Sequence, residues 1–141
     1  MTYLLDTCVV SEPTKPKPLV SVLEWLGDQE EIGLYLSVIT ICEIYKGIAR
    51  LQESRRKTEL RRWVDQDLKT RFTGRILDVD RGVAERWGEV SADAERKGQK
   101  ISVVDGLIAA TALENGLTLV TRNTDDMVVT GVTLFNPWQT F

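Results

Sequence analysis

Short apolar segments alternate with longer segments of helical periodicity along this chain, and this alternation restricts the possible folds more than any other feature. The apolar segments have the length and composition of buried strands, and they span residues 3–5, 34–38, 76–79, 117–121 and 132–135. The helical segments cover residues 19–26, 41–51, 60–68, 83–94 and 102–115. Strands separated by helices pair in parallel, and both faces of a parallel sheet need cover. The sequence therefore predicts one α/β domain over residues 1–141, with a parallel sheet of about five strands and helices on both faces.

The chain contains no histidine, and its two cysteines are Cys8 and Cys42. This composition excludes a Ser-His-Asp or Cys-His nucleophile, a histidine acid–base pair and a histidine–cysteine zinc site. No apolar run approaches the roughly 18 residues of a membrane span, and the first residues lack the pattern of a signal peptide. We therefore expect a cytoplasmic protein with reduced thiols. Its chemistry must use carboxylates, hydroxyls, lysine, arginine or a metal ion.

Three acids lie next to the predicted strands in a way that brings them to one edge of the sheet. Asp6 ends the first strand, Glu43 falls in the first turn of the helix after the second strand, and Asp105 opens the helix that precedes the fourth strand. Open parallel sheets form their sites at the carboxyl ends of the strands. Crowded carboxylates repel one another unless a cation joins them, and oxygen ligands favour Mg²⁺ or Mn²⁺. This pattern predicts metal-assisted phosphodiester hydrolysis.

The same three acids also have an interpretation in which they only cap helices. Thr40 to Glu43 and Ser102 to Asp105 both match the Ser/Thr-x-x-acid pattern of a capping box. Asp6 is suited to the N-cap of a short following turn. Both interpretations stay open at the level of sequence.

The segment 46–75 is basic on an otherwise acidic chain, with ten Lys or Arg residues against four acids. Its net charge is +6, whereas the rest of the chain carries −9. Such a stripe can hold a polyanion, or it can be a solvated helical face. Lys46 and Arg50, one and two turns beyond Glu43, are candidates to attract a phosphate backbone.

Four ordered segments together resemble the PIN-domain ribonucleases. They are Leu4-Leu5-Asp6-Thr7, LSVITICEI at 36–44, VDGLIAATA at 104–112 and LVTRN at 119–123. Two further segments, VVSEP at 9–13 and FNPW at 135–138, are similar to the FitB-like branch of the VapC toxins. The resemblance extends over the whole chain.

Membership of this family implies a PIN-like three-layer sandwich with Mg²⁺- or Mn²⁺-dependent endoribonuclease activity. Asp6, Glu43 and Asp105 would be the catalytic, metal-binding acids. The resemblance also implies the toxin role in a VapBC-type toxin–antitoxin module, with RNA as substrate. Its partners would be a small DNA-binding antitoxin that blocks the pocket and a second copy of the toxin in a homodimer.

The chain departs from the family pattern at two positions. Asn123 belongs to the catalytic set by its place in the motif, but many members have an aspartate there, so a second metal would bind more weakly. Asp126, three residues on, either compensates as a metal ligand or is a solvated loop acid. Cys8 replaces a common asparagine. With Cys42 it forms either an oxidation-sensitive pair or two separate small buried thiols.

Three further residues near these motifs have candidate supporting roles. Thr7 and Thr121 could hydrogen-bond the acids or could be ordinary hydroxyls at strand ends. Arg122 is a candidate phosphate contact or a counter-charge for the acidic pocket.

Two other functions are compatible with parts of the sequence. Asp78-Val79-Asp80 after a predicted strand is similar to the Asp-x-Asp motif of aspartate-nucleophile phosphotransferases, with Asp78 as nucleophile, although Asp80 also suits the N-cap of the next helix. The second alternative is a catalytically weak or silent PIN-like module that only binds RNA or an antitoxin, which the departures at Asn123 and Cys8 would explain.

Overall fold

The structure is a computed structural model and describes residues 1–139. Within that range, five strands form one parallel sheet in the order β3-β2-β1-β4-β5. The strands are β1 (Tyr3–Leu5), β2 (Leu34–Ser37), β3 (Ile76–Leu77), β4 (Thr118–Val120) and β5 (Leu134–Phe135). Tyr3 pairs with Leu34 on one side and with Thr118 on the other, so β1 is the central strand. The predicted parallel α/β architecture is confirmed.

Helices connect the strands. They are α1 (Thr7–Ser11), α2 (Val20–Asp28), α3 (Val38–Ala49), α4 (Arg55–Arg62), α5 (Lys69–Arg71), α6 (Arg81–Arg96), α7 (Val103–Glu114) and α8 (Thr124–Met127). A π-helical segment, Trp63–Leu68, joins α4 to α5. Short 3₁₀ turns occur at Glu12–Thr14, Glu31–Gly33 and Val128–Thr130. Of the helices in residues 1–139, none is long and apolar enough to cross a membrane.

The core lies in two layers, one on each face of the sheet. Neighbouring residues of a strand point to opposite faces, and β1 shows this directly. Leu5 belongs to the cluster that includes Ile44 of α3, whereas Leu4 belongs to the cluster that includes Ile108 of α7. Helices therefore cover both faces, and the sheet with its helices forms the expected three layers.

The start of α3 differs from the prediction. Strand β2 ends at Ser37, whose hydroxyl accepts a hydrogen bond from the Ile39 N–H and caps the helix that begins at Val38. Glu43 therefore lies in the second turn of α3, and the interpretation of Thr40 and Glu43 as a capping box is wrong. Thr40 is instead buried inside the helix.

Candidate active site

A pocket of about 340 Å³ opens at the carboxyl edge of the sheet, beyond the central strand. It is lined by Asp6, Thr7, Cys8, Ser11, Lys15, Glu43, Asp105, Arg122 and Asn123. Elements from distant parts of the chain supply these residues, because the carboxyl ends of parallel strands meet at one edge. The structure thus brings together the three acids and Asn123 that were predicted from sequence.

Asp6 is buried directly after β1 and has a hydrogen-bond donor for each carboxylate oxygen. Its Oδ1 accepts from the Thr7 N–H at 2.8 Å, and its Oδ2 accepts from the Thr121 hydroxyl at 2.7 Å. The first of these bonds makes Asp6 the N-cap of α1. Asp6 therefore caps a helix and lines the pocket at the same time, so the two interpretations of this acid are compatible.

Glu43 is linked to the same group of residues through Thr7. The Thr7 hydroxyl donates to Glu43 Oε1 at 2.5 Å, while the Thr7 N–H donates to Asp6. One residue thereby orients two carboxylates. Such partners, which hold the ligand oxygens in place, are a regular feature of metal sites.

Asp105 lies in the first turn of α7. The Ser102 hydroxyl caps this helix by accepting from the Asp105 N–H at 3.1 Å. Among the hydrogen bonds of the described residues, the Asp105 carboxylate makes no return bond to Ser102, so only half of the predicted capping box is present. A Cβ on Gly106 would lie 2.9 Å from Trp87 Nε1. This close contact between α6 and α7 fixes the helix end that carries Asp105.

The acids of the pocket are electrostatically coupled. Burial raises the pKa of Asp6 above its ordinary value of 3.8, the hydrogen bonds from Thr121 and Thr7 oppose the rise, and the charge of Asp105 adds to it. Burial also raises the pKa of Glu43 above 4.5, and the charges of Asp6 and Asp105 raise it further. A cation in the pocket would relieve this repulsion.

The donor set fits a hard divalent cation. Carboxylate oxygens and an amide carbonyl are the ligands that Mg²⁺ and Mn²⁺ prefer. In residues 1–139, no three acidic or thiol groups already stand close enough together to enclose an ion. For all three acids to share one cation, their side chains would therefore have to move closer together.

Of the other acids that the sequence analysis singled out, Asp126 and Asp78 lie outside the pocket and Asp80 caps a helix. Asp126 is exposed on α8 and does not line the pocket, so the structure does not bring it to the three acids. Asp78 is exposed beyond the edge strand β3 and is likewise outside the pocket. Asp80 caps α6, as predicted, by accepting from the Val83 N–H at 2.9 Å.

The two thiols are in unlike surroundings. Cys8 Sγ lies 3.9 Å from Asp6 Oδ2 and 3.8 Å from the Thr121 hydroxyl, whereas Cys42 is exposed on α3. The interpretation as two buried thiols is therefore wrong, because Cys42 is exposed and Cys8 is only partly buried. Both are free in the structure.

Sequence reasoning missed Lys15 and Ser11, which also line the pocket. Lys15 follows Glu12 at the i, i+3 spacing of an ion pair, and the two side chains do pair at 2.9 Å. That spacing could have identified Lys15, but the proline-rich composition of residues 13–18 hid it.

The basic segment 46–75 is only partly available to a ligand. Arg71 and Arg75 pair with Glu31, at 2.6 Å and 3.5 Å. Lys57 pairs with Glu53. Part of the positive charge is therefore already paired with acids of this chain, which favours the solvated-face interpretation for these residues.

The chain belongs to the PIN-domain family, whose profile matches residues 3–130. It is 39% identical to the toxin FitB of Neisseria gonorrhoeae, over 96% of this chain and 97% of that protein. It is 34% identical to the VapC ribonuclease Y4jK of Sinorhizobium fredii, again over 96% and 97%. The solved structure of FitAB bound to an IR36 DNA fragment has a TM-score of 0.94 at 37% identity, covering 99% of this chain and 98% of that one.

Proposed function

We propose that this chain is a divalent-metal-dependent endoribonuclease and the toxin of a toxin–antitoxin module. The observation that carries the proposal is the convergence of Asp6, Glu43 and Asp105 on one pocket. Relatives named as a toxin and as a ribonuclease, each alignable over nearly its full length, support the same activity.

Asp6, Glu43 and Asp105 would hold Mg²⁺ or Mn²⁺ in this pocket, and the Asn123 carbonyl is a further candidate ligand. When bound, such an ion stabilises negative charge on a phosphodiester and makes water more acidic. Thr7 and Thr121 orient the carboxylates through the hydrogen bonds described above. Single-stranded RNA suits the site because its backbone can bend towards a recessed acidic pocket.

The activity is tested with purified protein and a labelled single-stranded RNA, in Mg²⁺ and in chelator. Wild type is expected to cut the RNA only with the divalent ion, and Asp105→Asn is expected to lose the activity. Asp78→Asn serves as the matched control, because Asp78 is exposed and outside the pocket. Loss of cleavage in the Asp78 variant alone would instead support the phosphotransferase alternative.

A wild-type protein that binds RNA without cutting it in any divalent ion would support the silent binding module. Sequencing of RNA ends after brief expression of wild type and of Asp6→Asn extends the test to the cell. New ends that appear with wild type and are absent with the variant would identify the target.

The proposed protein partner is a small DNA-binding antitoxin. The FitAB complex with DNA supports this partner through its similarity to the chain. Co-expression with the product of a short upstream reading frame should give a stable complex whose RNA cleavage is suppressed. A homodimer of the toxin is proposed as well, and sedimentation of the purified chain measures it.

A further inference from the structure

Two cationic side chains stand at the rim of the acidic pocket. Lys15 and Arg122 both line it, together with the three acids. Without a bound cation, the carboxylates alone repel a phosphate backbone. Fixed positive charge on the rim is therefore the feature of this pocket that can draw RNA towards it.

We propose that Lys15 and Arg122 form a phosphate subsite, which binds a backbone phosphate of the RNA next to the phosphodiester that is cut. The buried Glu12 positions Lys15 for this contact. The proposal rests on the proposed function for the identity of the ligand, and it adds residues outside the metal-binding acids.

The position of Lys15 is set by a carboxylate that has few other partners. Glu12 is only 3% exposed. Its Oε2 accepts from the Leu19 N–H at 2.9 Å, whereas Oε1 has no aligned hydrogen-bond donor among the described residues. The Lys15 ammonium, 2.9 Å from Oε1, provides the opposite charge. Since a buried carboxylate without a partner is strongly unfavourable, Lys15 is held beside it.

Pairing with Glu12 leaves Lys15 free to bind a ligand as well. An ammonium has three N–H donors, and the ion pair occupies only one direction around it. The Lys15 side chain is 48% exposed while that of Glu12 is 4% exposed. The buried carboxylate thus anchors a lysine that is itself partly exposed and lines the pocket.

Arg122 is positioned by a different contact near the same carboxylate. Its guanidinium lies over the Trp138 ring, 5.1 Å from the ring centroid. Burial acts to raise the pKa of Glu12, but the hydrogen bond from Leu19, the contact with Lys15 and the charge of Arg122 together lower it below its ordinary value. Two cations, each held by an aromatic or buried acidic partner, therefore line the same pocket.

The subsite is tested by RNA binding in chelator, where cleavage does not interfere. A labelled mixed-sequence single-stranded RNA is titrated at several salt concentrations with wild type and Lys15→Ala. Loss of one phosphate contact should reduce the slope of log K against log salt by about 0.7 and weaken binding regardless of sequence. Lys17→Ala, at an exposed lysine outside the pocket, is the matched control and should keep the wild-type slope.

A second variant keeps the test valid if Lys15→Ala fails to fold, since that substitution leaves the buried Glu12 unpaired. The double variant Glu12→Gln/Lys15→Ala removes both charges, and its amide oxygen can still accept from Leu19. It should show the same loss of slope at the wild-type melting temperature. Glu12→Gln alone should raise KM for RNA cleavage severalfold at unchanged kcat, whereas a purely structural role would lower the melting temperature instead.

The RNA is used with a 5′-hydroxyl and with a 5′-phosphate to separate internal from terminal phosphate. Equal loss of slope with both forms supports a backbone phosphate, and loss only with the 5′-phosphorylated form overturns the proposal. An unchanged slope in Lys15→Ala also overturns it. RNA that is bound with the expected difference in slope but never cut in Mg²⁺ refutes the nuclease activity and leaves the subsite intact.

Discussion

Asp6 and Asp80 have the same local role and very different surroundings. Each follows a strand closely and caps the next helix by accepting a backbone hydrogen bond, from Thr7 and from Val83 respectively. Asp6 follows the central strand β1 and is 5% exposed, whereas Asp80 follows the edge strand β3 and is exposed. Position in the sheet, and not capping chemistry, separates an acid of the pocket from an acid that only ends a helix.

The comparison also shows what an acid needs besides a cap in order to serve a site. Asp6 receives a second hydrogen bond, from the buried Thr121 of the neighbouring strand end. Asp80 has no residue of a neighbouring strand in its hydrogen bonding within the described part of the chain. A central strand has neighbours on both sides, and these supply the partners that orient a carboxylate.

The largest expected difference between the two acids is in RNA cleavage. Asp6→Asn should lower kcat/KM at least about 100-fold, since disturbing a partner of a metal ligand alone costs roughly 10- to 100-fold. Asp80→Asn should cleave like wild type, because asparagine caps a helix as well as aspartate does. Initial rates on one labelled RNA in Mg²⁺ measure both variants. Equal loss in the two would mean that capping, and not the pocket, explains Asp6.

The next effect concerns the hydrogen bond that distinguishes Asp6. Thr121→Val keeps the side-chain shape but removes the donor to Asp6 Oδ2, and we expect cleavage to fall roughly 10- to 100-fold. Thr121→Ser keeps the hydroxyl and should recover most of the activity. Melting temperatures provide the folding control. Full activity in the valine variant would show that Asp6 needs no orientation by Thr121.

Measuring Mn²⁺ affinity at several pH values tests whether protons compete with the cation at Asp6 and Glu43, and whether Asp80 has no part in this competition. The pKa values of Asp6 and Glu43 are raised above 3.8 and 4.5, so protons compete with a cation at higher pH than for free carboxylates. Mn²⁺ affinity should therefore fall as the pH decreases towards these raised values, in wild type and in Asp80→Asn alike. Calorimetric titration at a series of pH values measures this. Affinity independent of pH through that range would contradict the prediction.

In chelator, where no cation is bound, the stability of the fold changes with pH in the direction opposite to that of the Mn²⁺ affinity. Raised pKa values mean that the folded state binds these protons more tightly than the unfolded state does. The contribution of Asp6 and Glu43 to the free energy of unfolding is therefore fully present below their ordinary pKa values of 3.8 and 4.5, and it is lost as the pH rises from there through the raised folded values. Asp6→Asn should remove its share of this dependence.

The smallest expected effect is on stability at Asp80. Asp80→Ala removes the cap of α6 and should lower the free energy of unfolding by about 1 kcal/mol. RNA cleavage should be unchanged at temperatures where the protein stays folded. Urea denaturation in chelator measures the first effect. A loss of cleavage without a loss of stability would place Asp80 in the site and end the distinction drawn here.

The sheet and the three acids could be predicted because each acid borders an apolar segment that is easily recognised. Asp6 follows Leu4 and Leu5, and Asp105 opens a segment rich in alanine and isoleucine. In a parallel sheet, sequence position relative to a strand determines the edge at which a residue lies. The order of the strands and helices along the chain was therefore nearly sufficient to predict where these acids lie.

Other features could not be predicted, because the sequence is compatible with more than one arrangement. Ser37 and Thr40 both suit an N-cap, and only the end of β2 decides that Ser37 caps α3. Asp126 has the spacing of a ligand but is exposed on a short helix. The i, i+3 spacing of Glu12 and Lys15 allows an ion pair, but no local pattern reveals that Glu12 is buried.

The claim that three acids share one cation is tested most directly by titrating Mn²⁺ into wild type, Asp6→Asn, Asp105→Asn and Asp80→Asn at neutral pH. The account predicts equal affinity in wild type and Asp80→Asn, and affinity at least about tenfold weaker in the other two. Equal affinity in all four proteins would show that these acids do not hold a common ion.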